Sequence, residues 1–299
     1  MRKYREEKIQ MSFEIVTDSC ANLPESMIDE WGIHILSLVF RVKDKEYASY
    51  VKGEVTDLSA FYTMMREKEN ITTSLVDIEQ CMQVMGGLLE QGKDVLYIAF
   101  SSGLSGSYQA ATLAINELRE KYPNQKIYAV DTLAAALGEG LLVYHAAQLR
   151  ADGKNIDEVK DWLLENRLNL CHWFTVDDLF FLHRGGRVSK TSAVLGSMLS
   201  IKPVMHVDDE GHLILVEKAR GRKKALDALC THMEETAVDP ENQYVFISHG
   251  DCKEDAEYLA NRVKERMNVK DVLIHILDPV IGAHSGPGTV ALFYFGSKR

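Results

Sequence analysis

Serine side chains are concentrated where an apolar run gives way to an amphipathic helix pattern. The stretch FSSGLSGSYQAATLAINEL covers residues 100–118 and carries serine hydroxyls at positions 101, 102, 105 and 107. Hydroxyls and the unpaired N–H groups of a helix N-terminus together suit an anion such as a carboxylate or a phosphate. The same residues also fit a structural role, in which Ser105 or Ser107 caps the helix and the glycines only turn the chain.

Three further segments place hydroxyl or imidazole groups beside expected turns or helix starts. Thr73 lies in the hydroxyl-rich segment TTS at residues 72–74, and TDSC occupies residues 17–20. His284 lies in GAHSGPGTV, which reads as a loop rich in small residues. Each segment has an ordinary interpretation as a helix cap or a structural histidine. Their chemistry depends on whether the fold brings them to one place.

Several familiar sites lack their signature residues. A P-loop ends in Gly-Lys-Ser/Thr, and the serine-rich stretch contains no lysine. No GxGxxG spacing supports a dinucleotide site in which Asp131 would bind the ribose. Ser105 lies in GLSGS, whereas a nucleophile elbow requires GxSxG. An alternative function stays open, namely a serine-based hydrolase or a small-carboxylate-binding enzyme that uses the 101–105 loop with His284 and Asp18.

The elements that would position these residues alternate regularly in the first half. Apolar runs such as DVLYIAF and KIYAVD are separated by helix patterns, and IHILSLVFRV reads as one more strand. Parallel strands joined by crossover helices produce this rhythm. We therefore expect an α/β protein whose N-terminal domain, residues 11–168, holds a parallel sheet in an α/β/α arrangement. Residues 1–10 show no matching period and are expected to form a mobile extension.

The second half has a different pattern. An apolar run, the turn DDEG and another apolar run form a hairpin signature. This signature predicts a C-terminal mixed-sheet α+β domain over residues 169–299. The apolar segment at 194–205 suits either ordinary core or the wall of an apolar tunnel. The residue pattern of the terminal segment fits either a return to the first domain or closure of the second one.

Composition narrows the class of protein. The 299-residue chain has a formal net charge of -10 and no run of five like charges, which disfavours nucleic-acid binding. It contains no stretch of about 18 apolar residues, and its first residues are charged, so we expect a cytoplasmic location. The five cysteines are scattered without a CxxC pair, which argues against a disulfide framework or a zinc site.

Several segments taken together resemble the DegV family, in matching order and spacing from about Phe13 onward. They read TDSCANLP, SSGLSGSYQAA, FLHRGGRVSK, KPVMHVDDEGHL, KARGRKKAL and GAHSGPGTVAL. The resemblance implies two α/β domains that hold a long-chain fatty acid in a ligand crevice between them, with the carboxylate on hydroxyls of the first domain and the tail in the second. By the same resemblance, the terminal loop at 282–288 is expected to return to this crevice. It also implies a non-catalytic subunit that presents the lipid to a separate fatty acid kinase, which forms the acyl phosphate. No cofactor and no nucleic-acid partner are implied, and transient contact with a membrane surface is allowed.

The resemblance also assigns ligand-binding positions but no catalytic residue and no metal ligand. Those positions fall on Thr73, Ser101, Ser102, Ser105, Gly106, Arg220 and His284. Arg220 belongs to the basic cluster EKARGRKKAL and corresponds to an arginine near the exit of the site. The chain departs from the family at one point, because members often continue as Thr-Ser-Gln-Pro-Ser where this chain has TSLVD at residues 73–77. That change affects loop rigidity and the choice of headgroup.

Overall fold

The computed structural model describes residues 13–189 and 201–299 of the chain. The strands are β1 (Phe13–Asp18), β2 (Ile33–Leu36), β3 (Val39–Val42), β4 (Lys45–Ala48), β5 (Ile71–Thr73), β6 (Asp94–Ala99), β7 (Ile127–Asp131), β8 (Leu170–Thr175), β9 (Ile201–Val207), β10 (Leu213–Arg220), β11 (Tyr244–His249), β12 (Asp271–Ile276) and β13 (Val290–Phe295). The α-helices are α1 (Glu25–Trp31), α2 (Leu58–Arg66), α3 (Ile78–Glu90), α4 (Ser107–Lys121), α5 (Leu137–Ala151), α6 (Ile156–Asn166), α7 (Leu179–Arg184), α8 (Arg222–Thr236), α9 (Lys253–Met267) and α10 (Pro279–Ser285).

The first sheet has the strand order β2-β1-β6-β7, and its neighbouring strands all run parallel. Alternate side chains point to opposite faces, as in any strand. Ile15 and Leu96 pack in the core that includes α5 and α6, whereas Val16 and Tyr97 pack in the core that includes α3 and α4. Helices therefore cover both faces of the sheet, and the predicted parallel α/β/α arrangement is confirmed.

The segment IHILSLVFRV, expected as one strand, forms two strands in two different sheets. β2 belongs to the parallel sheet, whereas β3 pairs antiparallel with β4 and β5 in a separate three-stranded sheet. At the break between β2 and β3, side-chain hydrogen bonds replace the backbone hydrogen bonds of a sheet. Ser19 Oγ accepts from the Leu38 N–H at 3.0 Å, and Ser37 Oγ accepts from the Tyr50 N–H at 3.0 Å. Both bonds join residues distant in the chain, so the local residue pattern does not reveal the break.

The second large sheet has the strand order β10-β9-β8-β13-β11-β12. β11 and β12 pair in parallel, and the other neighbours pair antiparallel. The hairpin predicted from DDEG is present between β9 and β10, and Asp208 Oδ1 accepts from the backbone N–H groups of Glu210 and His212 in its turn. The helices α8 and α9 pack on one face, while α5 contacts the sheet through β8, β11 and β13. The predicted mixed sheet is confirmed.

The last segment of the chain joins the second sheet. β13 lies between β8 and β11, so the terminal strand does not return to the first sheet. The prediction that His284 lies in a loop is wrong, because His284 belongs to the last turn of α10. Pro279 occupies the first turn of this helix, and Asp278 Oδ1 caps it by accepting from the Val280 N–H at 2.7 Å and the Ile281 N–H at 3.3 Å.

The two large sheets take their strands from different parts of the chain. The four-stranded sheet uses residues up to Asp131, and the six-stranded sheet begins at Leu170, with α5 and α6 in between. Separate domains at 11–168 and 169–299 stay a prediction. The extension predicted at 1–10 lies outside the described residues.

Candidate functional site

A largely apolar cavity draws its walls from both halves of the chain. Its apolar lining consists of Leu38, Leu75, Phe100, Leu104, Ala135, Ala136, Phe174, Leu182, Val207, Leu213, Leu277, Val280, Ile281, Ala291 and Phe293. Its polar lining consists of Cys20, Thr73, Ser74, Ser105, His172, Arg187, His284, Ser285 and Thr289. The cavity leaves about 250 Å³ open to the centres of water-sized molecules. One water takes about 30 Å³ in the liquid, so this space admits on the order of ten waters.

Thr73 and His284 meet at the wall of this cavity. Thr73 ends β5 and His284 lies in α10, and the distance from Thr73 Oγ1 to His284 Nε2 is 2.8 Å. Burial, together with the charges of Arg187 and Arg184, lowers the pKa of His284 to about 4. The imidazole is therefore neutral at neutral pH. With a proton on Nε2 it donates to Thr73 Oγ1 and leaves the threonine O–H free to donate to another acceptor.

The glycine at position 185 makes room for this imidazole. His284 Nδ1 would lie 2.3 Å from a Cβ built on Gly185, and a real Cβ does not approach a ring that closely. Among the described residues His284 Nδ1 has no hydrogen-bond partner. The two glycines of HRGGR therefore have different uses, since Gly186 adopts a positive φ of 75° while Gly185 permits the close packing.

Arg187 brings a positive charge to the cavity wall, and the sequence analysis did not single it out. Its Nε donates to the Leu104 carbonyl oxygen at 3.1 Å, and its Nη1 donates to the Gly185 carbonyl oxygen. Burial lowers the pKa of its guanidinium. The sequence did contain an indication of Arg187, because this residue lies in the segment FLHRGGRVSK that carries part of the family resemblance.

Ser105 and Gly106 line the cavity, as expected for a binding loop. Ser105 Oγ lies 2.9 Å from Ser107 Oγ, and Ser107 Oγ accepts from the Val76 N–H at 3.2 Å. These bonds tie the serine loop to the chain that follows Thr73. The two hydroxyl-rich segments identified from the sequence are thus brought together.

Ser101 and Ser102 have structural contacts instead. Ser101 Oγ donates to the Gly211 carbonyl oxygen at 2.9 Å and accepts from the Gly103 N–H at 3.2 Å. The Ser102 N–H donates to Asp131 Oδ1 at 3.1 Å. Neither serine is among those described residues that line the cavity. Their contacts hold the loop against the β9–β10 turn and the end of β7, and a direct role at the ligand stays a prediction.

Arg220 is exposed at the end of β10, opposite Ile201 in the β-ladder. It too is absent from the described part of the cavity lining, so its role near an exit stays a prediction. Arg222, from the same basic cluster, is packed into the fold. Its side chain is 18% exposed and its Nε lies 2.8 Å from Asp255 Oδ2.

Ser285, Thr289 and His172 are among the polar lining residues that were not predicted as site residues. Ser285 Oγ is buried without a hydrogen-bond partner in the described residues, and Thr289 Oγ1 lies 3.0 Å from the Ser285 carbonyl oxygen. Both belong to GAHSGPGTV, and this motif therefore contributes two lining residues besides its histidine. His172 packs edge-on against Phe293 at 4.9 Å, and burial places its pKa well below the usual value. No sequence motif marks His172.

The alternative hydrolase would need a chain of hydrogen bonds from Ser105 through His284 to Asp18. Asp18 Oδ2 instead accepts from the Tyr97 hydroxyl at 3.0 Å, and His284 Nε2 is paired with Thr73. Burial raises the pKa of Asp18 to about 6. The hydrogen bonds of the described residues thus do not link these three side chains into a relay.

The departure from the family pattern changes the edge of the cavity. Leu75 lines it and is 46% exposed, so it adds an apolar side chain at the rim. Val76 is fully buried, and its N–H makes the bond to Ser107 Oγ described above. A proline at position 76 would lack that donor.

The apolar segment predicted at 194–205 falls only partly on described residues. Positions 194–200 lie outside them. Val204 and Met205 are fully buried, and Val207, just beyond the segment, lines the cavity. The described end of the segment thus belongs to the core, and a residue just after it belongs to the cavity wall.

Residues 13–189 and 201–299 contain neither a candidate metal site nor a candidate membrane-spanning helix. No group of three or more His, Cys, Asp and Glu side chains there is arranged to hold a metal ion. Within the same ranges, no helix combines the length and the apolar character that crossing a bilayer requires.

Comparisons with known proteins identify the family of this chain and relatives with a described ligand. Residues 12–297 match the model of a family described as "Uncharacterised protein, DegV family". A DegV domain-containing protein of Clostridium perfringens is 47% identical over 287 residues, which cover 96% of this chain and 98% of that protein. A solved DegV family structure from Thermus thermophilus, described for its fatty acid binding, is 29% identical with a TM-score of 0.86 and covers 96% of this chain and 100% of that one. Bacillus subtilis DegV, described as a fatty acid binding protein, is 28% identical with a TM-score of 0.82, over 96% of this chain and 100% of that one.

Proposed function

The chain belongs to the DegV family, and from that premise we propose that it binds a long-chain fatty acid in the cavity described above. The observation that carries the proposal is the junction of a largely apolar cavity with the Thr73–His284 pair and the Arg187 guanidinium. Relatives with solved structures are described as fatty acid binding proteins, which supports the same ligand class.

The tail supplies most of the binding free energy. Burying about 14 methylenes contributes roughly 11 kcal/mol of gross transfer free energy, at about 0.8 kcal/mol each. Association costs about 4–15 kcal/mol, so tail burial alone gives modest affinity. A carboxylate would lose its hydration on entry, and this loss must be offset by hydrogen bonds and charge.

The polar lining can offset that loss. The Thr73 O–H, the Ser105 O–H and the Arg187 guanidinium offer donors to one anion, and His284 holds the threonine without adding charge. An acyl phosphate presents the same kind of anionic oxygens. We therefore propose that the protein presents its lipid to a separate kinase and then shields the acyl phosphate product from water. The protein itself would be the binding subunit and not the catalyst.

A titration with a fluorescent or isotopically labelled fatty acid tests the binding proposal. Native mass spectrometry of the purified protein should show bound fatty acid, and palmitate or oleate should bind the delipidated protein. Thr73→Ala should weaken binding roughly tenfold or more, because a hydrogen bond to a charged group contributes about 1.5–3 kcal/mol. Thr72→Ala removes the same atoms at the exposed neighbouring position and is the matched control.

Two results would contradict the proposal. Protein that carries no lipid and shows no binding of either acid would rule out the fatty acid function. Equal affinities of Thr73→Ala and Thr72→Ala would rule out the headgroup assignment alone. The kinase proposal is tested separately, by supplying the loaded protein and ATP to purified candidate kinases and assaying acyl phosphate, and no product with any candidate would count against it.

A further inference from the structure

The Arg299 side chain lies at the junction of four backbone segments. Its guanidinium donates to the carbonyl oxygens of Leu170 at 3.0 Å, Leu133 at 2.8 Å, Asp208 at 3.1 Å and Arg167 at 2.6 Å. The first acceptor starts β8, the second lies between β7 and α5, and the third follows β9. One side chain therefore joins the second sheet to the loop that follows the first sheet.

An arginine suits this position better than any other residue. Its planar guanidinium offers five N–H donors in a fixed fork, whereas a lysine ammonium is a compact point charge. Burial lowers the pKa of Arg299 to about 10, so it stays charged at neutral pH. Within the described residues no carboxylate forms an ion pair with it. Its hydrogen bonds all go to carbonyl oxygens, whose positions they fix, while the Asp208 and Asp209 carboxylates act on the charge only through space.

Three of these segments also form part of the cavity wall. The lining residues within three positions of a bonded carbonyl are Ala135 and Ala136 near Leu133, His172 near Leu170, and Val207 near Asp208. Arg299 itself does not line the cavity in the described structure. It contacts the wall through hydrogen bonds to the backbone of these segments.

The loop before α5 needs such support. Leu133 and Ala136 adopt positive φ angles of 52° and 53°, which disfavour residues with a Cβ. Leu133 also packs against the β9–β10 turn, where a Cβ on Gly211 would lie 3.2 Å from its Cα. Without Arg299, the loop and the turn would lose the side chain that bonds both the Leu133 and the Asp208 carbonyls. The bonds of Ser101 to the Ala134 and Gly211 carbonyls would still connect each of them to the serine loop.

We propose that Arg299 is a specificity-determining residue, which fixes this part of the cavity wall and thereby sets which acyl chain lengths fit. The inference rests on the proposed fatty acid function. A rigid wall discriminates between chains that differ by a few methylenes, because each misfit methylene loses contacts or forces strain. A wall free to move would accept a wider range of chains.

The test compares wild type with Arg299→Met across saturated acids of about 12 to about 20 carbons. The spread of dissociation constants over the series should shrink at least about fivefold in Arg299→Met. Arg299→Lys, which keeps the charge but not the fork, should fall between the two. Lys298→Ala, at the exposed preceding residue, should retain the wild-type spread. Hydrogen exchange without ligand should be faster in Arg299→Met at residues 132–137 and 207–213 and unchanged in α9.

The outcomes separate the two proposals. Wild-type binding with the same chain-length spread in Arg299→Met would overturn the Arg299 inference and leave the proposed function standing. Wild type that binds none of the acids would overturn both. If Arg299→Met does not fold, Arg299→Lys decides the question, and a spread equal to wild type would overturn the inference. A uniform loss of affinity for every acid, with the spread unchanged, would show a merely structural role and would also overturn it.

Discussion

Asp278 is a buried carboxyl group that connects two parts of the chain. Its Oδ1 caps α10, the helix that carries His284, and accepts from the Ser49 hydroxyl at 3.1 Å. Its Oδ2 has no partner among the described residues. Burial, with a smaller contribution from the nearby Asp18 carboxyl, raises the pKa of Asp278 to about 7. Below about pH 7 the folded state therefore favours the protonated form.

Replacing Asp278 by asparagine should make the protein comparatively more stable as the pH rises. The ordinary pKa of aspartate is about 3.9, so the stability that protonated Asp278 contributes is complete below that pH. It is lost as the pH rises towards 7, whereas asparagine keeps the capping oxygen and does not titrate. The free energy of unfolding of Asp278→Asn, minus that of wild type, should increase from about pH 4.5 to about pH 8. Urea unfolding at several pH values measures it.

Asp44→Asn provides the control for this titration, because Asp44 is exposed in the β3–β4 turn. Its difference from wild type should not follow the same trend. If the Asp278→Asn difference were constant across the pH range, the carboxyl would titrate alike in the folded and unfolded states, and the assignment of a protonated Asp278 would be wrong.

At the scale of single residues, the sequence identifies segments that contribute to the cavity. It is less successful in identifying which side chains of those segments reach it. The serine, threonine and histidine motifs all contribute to the cavity lining, and three of their predicted side chains, those of Ser105, Thr73 and His284, reach it. Ser101 faces Gly211 because the β9–β10 turn packs on the loop, a contact between positions distant in the chain. Arg187 was not predicted because the residues around it in the sequence do not indicate that its side chain reaches a binding site.

The packing of α7 against α10 determines where His284 lies. Gly185 follows α7 with a φ of -72°, an ordinary helical value that alanine also adopts. The requirement for glycine is therefore one of space, because a Cβ would lie 2.3 Å from His284 Nδ1. The loop after α7 and the helix α10 thus position the imidazole together.

Gly185→Ala should weaken fatty acid binding without unfolding the protein. The added methyl would push the imidazole from its place, and the Thr73–His284 bond would be lost. The expected loss of affinity is roughly tenfold, the effect of about 1.4 kcal/mol. Titration of delipidated protein with palmitate measures it, and the melting temperature reports on folding.

Gly87→Ala is the matched control, because no heavy atom lies within 4 Å of a Cβ at this position of α3. It should leave binding unchanged and stabilise the protein by up to about 1 kcal/mol, since alanine favours helices over glycine. If Gly185→Ala and Gly87→Ala bound palmitate equally well, the imidazole position would not matter for the ligand.

Elements with a local cause were predictable, and those with a distant cause were not. The parallel strands and the β9–β10 hairpin follow from apolar runs and a turn sequence. The break at Ser37 depends on Ser19 and on Tyr50, which the local pattern does not contain. The short helix α10 did have local signals, namely Asp278 as a cap and Pro279 in its first turn, but its small residues resemble a loop.

At the scale of the whole molecule, the two halves of the chain are linked by side-chain contacts around the cavity. Thr73 pairs with His284, Arg187 with the Leu104 carbonyl, and Ser101 with the Gly211 carbonyl. Each pair joins a residue of the first half to one of the second. A ligand in this cavity would contact both halves, so its binding free energy should stabilise both.

Saturating fatty acid should therefore slow hydrogen exchange in both large sheets by the same factor. At a free concentration of about 100 times the dissociation constant, the slowest amides of β6 and β13 should each gain about 2.7 kcal/mol in opening free energy. Mass spectrometry of exchanged peptides resolves the two strands, and acetate, which offers a carboxylate without a tail, is the control that should have little effect. A gain confined to one sheet would mean that the halves open independently and that the ligand is held by one of them, whereas equal gains require a cavity whose two walls unfold as one unit.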